Sequence, residues 1–582
     1  MQRKFLPLSS SLLLIGILVA IAALGAPAFD LDRSPGWGPG RIALLAIGII
    51  VAFAGLLLWL DTPGVIAVWK FCSVFPNRAW HTSAAANCRR MAHEYWLFVP
   101  ISAVVITIYI WFVSSGTWTS WVSPTHYYID LARGFLQGHL YLAIKVPPAL
   151  LTSPDPYARL PNGALQGQLD VAYYQGKYYS PWGPAPALIE ILLHWTTHSW
   201  FRDMQLAFGF FCGIYIIVSL IALLLWDRHF SRLPKWTLWT SICLIGLAGP
   251  VTSMLENHTS ARIYEAAVTS GQMFLMCGML SLIAGWDSPA SKWTTPLTAV
   301  FFVLAAGSRP NLLLAIGIVT SLLYVHAWSV RRDSLRPFFQ AVAFSLILLA
   351  GFAVLGWYNW ARFDSPFETG YFYQITSNMM HYHLREIFSA NYILPNLYNY
   401  TIGSPLVNAE FPFIHAQYNP TLSALLPPPQ TDYYAAQRIS GILYLVPFAV
   451  FAFPVIIEAL ASLFRWPHST NQDNLSSLRS FYWAILMLAG ICLGAFGFLQ
   501  LFFWAAMRYI EEFAPVLILL SSLGFWQVRQ RIAARPSWIR LTDGIGIFLA
   551  AASILISILI GLSVNSGRFL LTSTLASLIS IH

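Results

Sequence analysis

The sequence predicts an all-α integral membrane protein, a bundle of about 11 to 14 transmembrane helices with two long external loops that form a small cap. Of its 582 residues, 57% are hydrophobic and only 10% are charged, a balance typical of membrane proteins. Apolar runs of about 17 to 25 residues, long enough to cross a hydrocarbon core of about 30 Å, recur along almost the whole chain. Together these observations argue against a soluble protein.

The orientation follows from the basic residues, which lie in short segments between the apolar runs and mark the cytoplasmic side. Residues 297–328 are predicted to form a hairpin with GSRPN at its outer tip, whereas segment 184–199 is short and either spans, dips into the membrane or shares a return helix. The remaining helices are predicted over roughly 6–26 (an uncleaved anchor), 42–60, 97–113, 204–226, 237–256, 264–285, 338–359, 440–462, 481–502, 514–526 and 541–562.

The two long segments 114–183 and 360–438 then both lie outside. Both are rich in aromatic residues and alternate polar with apolar positions, so they are predicted to fold into a cap and not to be disordered. Within the first segment, YYQGKYY predicts a β-hairpin that turns at Gln175 and Gly176. Three regions result: 1–95 with two helices and a basic cytoplasmic loop, 96–526 as the main membrane domain, and 527–582 with a last helix and a tail.

The hairpin places Lys177 beside several tyrosines, among them Tyr173 and Tyr178. An ammonium group among phenol hydroxyls at the level of the lipid headgroups is suited to bind a phosphate. An interfacial aromatic belt with a lysine that reaches towards water explains the pattern equally well.

Three acids of the same external segment are candidates for a general base that removes a proton from a hydroxyl group: Asp130, Asp155 and Asp170. Each taken singly also fits a solvated loop acid or a turn cap. Asp155 precedes Pro156 and is the most turn-like of the three, while Asp130 lies in a stretch predicted to be an amphipathic surface helix.

Three further motifs bring ionisable groups to the external face. An ionisable side chain inside the bilayer is energetically unfavourable, so it normally faces a water-filled cavity and has a polar or charged partner. A pair such as Arg508 with Glu512 would alternatively only hold helices together. The residues are Tyr264 and Glu265 in ARIYEAAV, Arg309 in GSRPN, and Arg508, Glu511 and Glu512 in MRYIEEFAP.

Several classes of function find no support in the residue pattern. The net charge of +9 is spread over short loops and does not form the basic face of a nucleic-acid-binding protein. The six cysteines show no zinc or disulfide spacing. His381 and His383, with Glu386 nearby, have no third histidine at metal spacing. No metal site or certain cofactor is therefore predicted, and a divalent cation is left open.

Several motifs of the chain resemble those of bacterial GT-C membrane glycosyltransferases, over roughly residues 96–526. The resemblance implies a GT-C-like multi-helix bundle in the bacterial inner (plasma) membrane, with its active site facing the periplasm or exterior. It also implies a hexosyl- or pentosyltransferase that uses a polyprenyl-phosphate-linked sugar as donor and a lipid, glycan or protein as acceptor, as in mannosyl-, arabinosyl- or galacturonosyltransferases that build cell-envelope glycans. The motifs are FLQGHLYL, DPYARL, LDVAYYQGKYYSPWGPAPAL, IYEAAV, AAGSRP, YNWARFDSPFETGYFYQ and MRYIEEFAP.

The family carries a catalytic acid in the first large external loop, often an aspartate just before the loop's first tyrosines. Here Thr125 and His126 occupy that place in SPTHYYIDLA. The base is thus unassigned, with Asp155 and Asp170 as the best substitutes and Asp130 third. The resemblance further implies that Lys177, Arg309 or Arg508 holds the departing lipid phosphate and that the sugar carbon is inverted. Glu512 stands where similar sequences often carry aspartate.

Two alternatives come from other classes. A lipid or solute transporter would keep ionisable groups near the bilayer midplane, often in two related halves. The interior helices offer little beyond Glu190 and Glu458, and no repeat relates the halves. A catalytically inactive scaffold stays open because the expected aspartate position is empty.

Overall fold

The structure, a computed structural model, describes residue 19 and residues 94–119, 121, 123–255, 263–286, 294–330, 334–417, 433–464 and 472–564. The helices predicted over 6–26 and 42–60 lie outside the described residues. The chain divides into two compact units, one of residues up to 104 together with 117–120, and a second of 105–116 and 121 onward. The functional residues belong to the second unit.

Helices dominate the described residues. Their bounds are α1 Phe98–Val113, α2 Tyr127–Leu136, α3 Ala185–Thr197, α4 Asp203–His229, α5 Lys235–Leu247, α6 Ile263–Trp286, α7 Thr294–Ala306, α8 Leu313–Val330, α9 Arg336–Phe363, α10 Ile393–Thr401, α11 Ala452–Phe464, α12 Gln472–Leu499, α13 Ala514–Arg531 and α14 Pro536–Val564. Single α-helical turns cover Pro148–Leu151, Val251–Met254, Ile442–Leu445 and Met507–Ile510, and short 3-10 helices cover Pro310–Leu312, Tyr371–Tyr373, Met380–Tyr382, Leu384–Glu386, Ala390–Tyr392 and Pro447–Phe451.

Seven helices of the described part are long and apolar enough to cross a membrane. The chain is accordingly an integral membrane protein, as its composition predicts, while the total of 11 to 14 spans stays a prediction. The seven segments are 203–229, 235–254, 263–285, 310–330, 336–363, 478–499 and 536–564.

Two predicted helices are interrupted, and both interruptions have a local cause. The helix predicted over 237–256 breaks after Leu247, because Gly249 adopts a φ of 96° and Pro250 follows it. The helix predicted over 440–462 is broken at Pro447, where a short 3-10 helix precedes α11. In a membrane, such breaks are tolerated where neighbouring helices satisfy the freed backbone groups.

Segment 184–199 forms α3, a helix of 13 residues. At a rise of about 1.5 Å per residue it extends about 20 Å, well short of a hydrocarbon core of about 30 Å. A helix of this length is too short to span by itself, so a dip into the membrane or a shared return helix stays the prediction for this segment.

Three small sheets, whose strands lie in segments 114–183 and 360–438 and at Trp504–Ala505, modify the all-α prediction. The predicted hairpin is confirmed: β1 (Val171–Tyr174) pairs antiparallel with β2 (Lys177–Tyr179), with positive φ angles at Gln175 and Gly176. A strand of the second external segment, β3 (Gln374–Ile375), pairs with the other edge of β1. The two external segments thus share one sheet. The other pairs are β4 (Leu406–Val407) with β5 (Ile414–His415), antiparallel, and β6 (Ala435–Ala436) with β7 (Trp504–Ala505), parallel.

The start of α3 is packed directly against the end of α7. The Ala185 amide donates a hydrogen bond of 3.0 Å to the Gly307 carbonyl. A Cβ atom at Gly183 would overlap the Gly307 carbonyl group, so this close approach requires glycine at position 183.

Replacing Gly183 with alanine is expected to separate these two segments and to destabilise the fold by about 1–3 kcal/mol, the usual cost of an inserted methyl group in a packed site. The measurement is the melting temperature of the purified protein. Gly209, inside α4, is the matched control because a Cβ atom there meets nothing within 4 Å. Alanine at 209 should leave stability unchanged or raise it; equal losses at both positions would contradict the packing argument.

Candidate active site

Asp170, the residue just before β1, is the candidate acid whose backbone is held by both long segments. Its backbone has a φ of 62°, a conformation that is unfavourable for a residue other than glycine. Its amide donates a hydrogen bond of 2.8 Å to the Ile375 carbonyl, and its carbonyl accepts one of 3.4 Å from the Gln374 side chain. The second external segment therefore fixes the backbone of an acid from the first.

The Asp170 carboxylate lies among polar groups from distant parts of the chain and is only 9% exposed. Burial raises its pKa, whereas a hydrogen-bond interaction with the Tyr264 hydroxyl and the charge of Arg508 lower it, and the net pKa is about 6. A carboxyl group with this pKa is ionised at neutral pH and is still basic enough to accept a proton in a reaction.

Arg508 supplies a cation beside this acid. Its guanidinium lies 4.7 Å from the centre of the Tyr264 ring and 5.1 Å from that of Tyr509, and it donates a hydrogen bond of 3.0 Å to the Gln437 side chain. Among the described residues no carboxylate forms an ion pair with it. Because its side chain is only partly buried and its charge is not neutralised by direct pairing, Arg508 is suited to bind an anionic ligand.

Arg309, unlike Arg508, forms an ion pair with a carboxylate. It donates a hydrogen bond to Glu512, and Asn311 donates another to the second oxygen of the same carboxylate. The interpretation that Glu512 pairs with Arg508 is therefore wrong: its partner is Arg309, which the break between α7 and α8 brings to it. Arg309 also lies 5.6 Å from the centre of the Tyr509 ring, so one ring contacts both arginines.

The first turn of α6 completes the cluster. Tyr264 packs edge-on against Trp182 at 4.9 Å, and Glu265 is 5% exposed and close enough to Arg508 for the two charges to interact. We call Asp170, Tyr264, Glu265, Arg309, Arg508, Tyr509 and Glu512 the acid–arginine cluster. It joins residues of the three motifs, without Glu511 and with Tyr509 in addition, and one acid of the first long segment, at one end of the bundle.

Asp203, at the start of α4, is a structural residue that the sequence does not single out. Its carboxylate accepts hydrogen bonds of 3.0 and 3.1 Å from the amides of Tyr127 and Tyr128 and interacts with the Thr125 side chain. The Tyr127 hydroxyl in turn donates a hydrogen bond of 2.8 Å to the Leu169 carbonyl, next to Asp170. Asp203 therefore anchors α2 against the segment that carries the candidate base.

Asp130 and Asp155 lie outside the acid–arginine cluster by their contacts. Asp130 is buried in α2, where it lies 2.7 Å from the His126 ring, and burial raises its pKa. Asp155 accepts hydrogen bonds of 3.0 Å from the Tyr157 amide and 2.5 Å from the Tyr382 hydroxyl. The bond from Tyr382 lowers the pKa of Asp155, which makes it a weaker base, and ties the two external segments together.

The hairpin residues Lys177, Tyr173 and Tyr178 are not brought into the cluster either. Lys177 lies over the Tyr141 ring, 4.7 Å from its centre. Tyr173 and Tyr178 are 8% and 1% exposed in the apolar core beneath the hairpin, which also contains residues of α2, α3, α4 and α6. Their role in substrate binding stays a prediction.

Among the described residues, no group of three or more His, Cys, Asp or Glu side chains could hold a metal ion. His383 lies 3.1 Å from Glu386 and stacks on Tyr433 at 4.3 Å, whereas His381 lies 2.5 Å from the Phe372 carbonyl oxygen and stacks on Tyr157 at 3.9 Å.

No family model and no curated protein matches this chain. Among solved structures, the chain is similar to the oligosaccharyltransferase AglB of Archaeoglobus fulgidus in complex with an inhibitory peptide and a dolichol-phosphate, with 12% identity and a TM-score of 0.41 over 84% of this chain and 56% of that one. The apo form of the Archaeoglobus fulgidus oligosaccharyltransferase matches with 12% identity and a TM-score of 0.40, over 84% of this chain and 57% of that one. The same oligosaccharyltransferase tethered to an acceptor peptide matches with 13% identity and a TM-score of 0.38, over 84% of this chain and 56% of that one. The chain thus spans a little over half the length of these proteins.

Proposed function

We propose that this chain is a membrane glycosyltransferase of the GT-C type, which moves a sugar from a polyprenyl-phosphate donor to a hydroxyl group of a lipid, glycan or protein. The observation that supports this most directly is the acid–arginine cluster. It combines Asp170, a buried carboxyl group with a pKa of about 6, with Arg508, a partly exposed cation that forms no direct ion pair within the described residues. Sugar transfer from a phosphate needs both a base and a cation.

An apolar groove beside the cluster supports a lipid-linked donor. Two adjoining cavities of about 640 and 460 Å³ share Pro184, Gly307, Leu355, Trp357 and Tyr358. They follow α9 and the end of α7 up to the turn that contains Arg309. A long isoprenoid chain would lie in this groove, since apolar walls bind it by the hydrophobic effect, and its phosphate would then reach the cluster.

The reaction that fits this arrangement is a single displacement. The oxygen of the acceptor hydroxyl forms a bond to the anomeric carbon as its proton passes to the Asp170 carboxylate. The bond between that carbon and the phosphate oxygen breaks, and the lipid phosphate leaves with the electron pair. Arg508 stabilises the negative charge that develops on the departing phosphate. Attack opposite the leaving group inverts the configuration of the sugar carbon.

The proposed side of the membrane is extracytoplasmic, in the periplasm or the exterior of a bacterial inner membrane. The cluster lies at the start of α6, at the α7–α8 break and before α13. The opposite ends of these helices, and of their neighbours, carry basic residues such as Arg228, Arg336 and Arg529, the pattern expected for cytoplasmic ends.

The proposal is tested by the lipid-linked sugars of cells that express single variants in place of the natural chain. Asp170→Asn and Arg508→Gln should each cause a polyprenyl-phosphate sugar to accumulate, because its consumption stops. Arg508→Lys, which keeps the charge but lacks the planar guanidinium, should accumulate less. Mass spectrometry of lipid extracts measures the donor. Asp155→Asn is the control and should leave the profile unchanged.

Unchanged lipids in the Asp170→Asn and Arg508→Gln cells, with both proteins present at normal levels in the membrane, would contradict the proposal. Unchanged lipids are the result that a catalytically inactive scaffold would give.

A further inference from the structure

A separate cavity of about 230 Å³ lies at the end of the bundle opposite the acid–arginine cluster. It is enclosed where α6 ends, α7 begins, α8 ends and α9 begins. Because α6 starts at the cluster and α7 ends beside it, the lining residues Gly285 and Thr294 mark the far ends of these helices. The cavity is several times larger than the roughly 30 Å³ that one water occupies in the liquid.

The polar part of its lining is neutral or positive. Arg336 and Gln340 come from the first turns of α9, and Thr294, Thr295 and Thr298 come from α7. The described residues that line the cavity include no aspartate or glutamate. Arg336 is exposed, and its guanidinium forms no hydrogen bond or ion pair with another described residue, so its charge is available to a ligand.

The surroundings strengthen this positive character. Arg479 of α12 supplies a further positive charge, because it is close enough to act on the ring of His326, a residue of α8 that lines the cavity. In addition, α7 and α9 both begin here, and the first amide groups of a helix carry a partial positive charge. A carboxylate or phosphate is the kind of group that such a lining binds.

The remaining wall is apolar and leads to the membrane. Leu282, Leu323 and Phe344 line the cavity, and Phe339, which precedes the lining residue Gln340 on α9, is 65% exposed. A free anion gains nothing from these surfaces, whereas acyl chains attached to an anionic headgroup would be bound by them.

We propose that this cavity binds the phosphate headgroup of an anionic phospholipid from the leaflet opposite the acid–arginine cluster. Basic pockets between transmembrane helices are suited to such headgroups. The inference is independent of the proposed function, because none of the lining residues belongs to the cluster.

The test uses the full chain purified in detergent and titrated with short-chain phosphatidylglycerol, with phosphatidylcholine and, separately, with inorganic phosphate. Phosphatidylglycerol should raise the melting temperature in a saturable manner, and the other two should not. Arg336→Gln should weaken the apparent affinity about fivefold, the effect expected for one cation near a membrane surface. Gln340→Glu, which places a negative charge in the cavity, should weaken it further.

Arg540→Gln is the matched control, because Arg540 is an exposed arginine near the start of α14, at the same end of the bundle, and does not line the cavity. The affinity of the Arg540→Gln variant for phosphatidylglycerol should equal that of the unmodified chain. An equal loss in Arg540→Gln would mean that only diffuse surface charge is involved and would overturn the proposal. An equal response to inorganic phosphate would reduce the site to a free-anion site and would overturn the lipid assignment.

Discussion

Replacing Asp170 with asparagine is expected to lower sugar transfer by about 10²- to 10⁴-fold, the usual contribution of a general base. The same change should leave the fold as stable as before or more stable. Burial raises the pKa of Asp170 from 3.8 to about 6, so the folded state binds the proton more tightly than the unfolded state. Stability contributed by this group is therefore present below pH 4 and is lost as the pH rises through 6. An asparagine at position 170 does not ionise, so the variant does not lose this stability at neutral pH.

Two measurements check this expectation. The first is the pH dependence of kcat/KM, which for the unmodified chain should rise on its acidic side with a pKa of about 6. The residual activity of Asp170→Asn should lack this rise. The second is the difference in melting temperature between variant and unmodified chain at pH 5 and pH 8, which should favour the variant more at pH 8. Asp155→Asn serves as the control, and full activity in Asp170→Asn would remove Asp170 as the base.

Replacing Glu512 with glutamine is expected to destabilise the protein by about 3–5 kcal/mol, the range measured when one partner of a buried ion pair is removed. Arg309 is 7% exposed, and without Glu512 its charge would be left without a carboxylate partner. The variant should accumulate poorly in the membrane and melt at a markedly lower temperature. Adding Arg309→Met to Glu512→Gln should recover much of the stability, because no unpaired buried charge then remains.

The neighbouring Glu511 provides a matched control. Its side chain lines a small cavity with Tyr109, Phe211 and Ile518, and burial raises its pKa to about 8. At neutral pH it is mostly protonated, so Glu511→Gln replaces a neutral side chain with one of the same shape and should change the melting temperature little. Equal destabilisation by Glu511→Gln and Glu512→Gln would show that substitution in this turn, and not the ion pair, is responsible.

Hydropathy and the basic segments predict most of the described helices, because both reflect the membrane environment of each segment separately. The same reasoning places Arg309, Arg508 and Glu265 at one face, and the structure brings them together. The ion pairs among these residues could not be predicted. Spacing favours a pair of Glu512 with Arg508, four residues before it, but the helical turn Met507–Ile510 ends between the two. Arg309, which does pair with Glu512, lies at the break between α7 and α8.

Single polar residues with tertiary partners were also beyond sequence reasoning. Asp203 and Asn311 carry no periodic or spacing signal, since their partners are an amide pair of α2 and the Glu512 carboxylate. The only available hint for Asn311 is its position two residues after Arg309. The helix breaks at Gly249 and Pro447 were signalled by residue type, but the long apolar runs around them favoured uninterrupted helices.

The hydrogen bond from Asp170 to Ile375 has a consequence for biogenesis. A ribosome that has reached the middle of this chain has already delivered the acid to the membrane but not the strand that holds it. Under the proposed function, the half-made protein cannot yet hold Asp170 in its reactive position, because that requires the later helices to be inserted and segment 360–438 to fold beside segment 114–183.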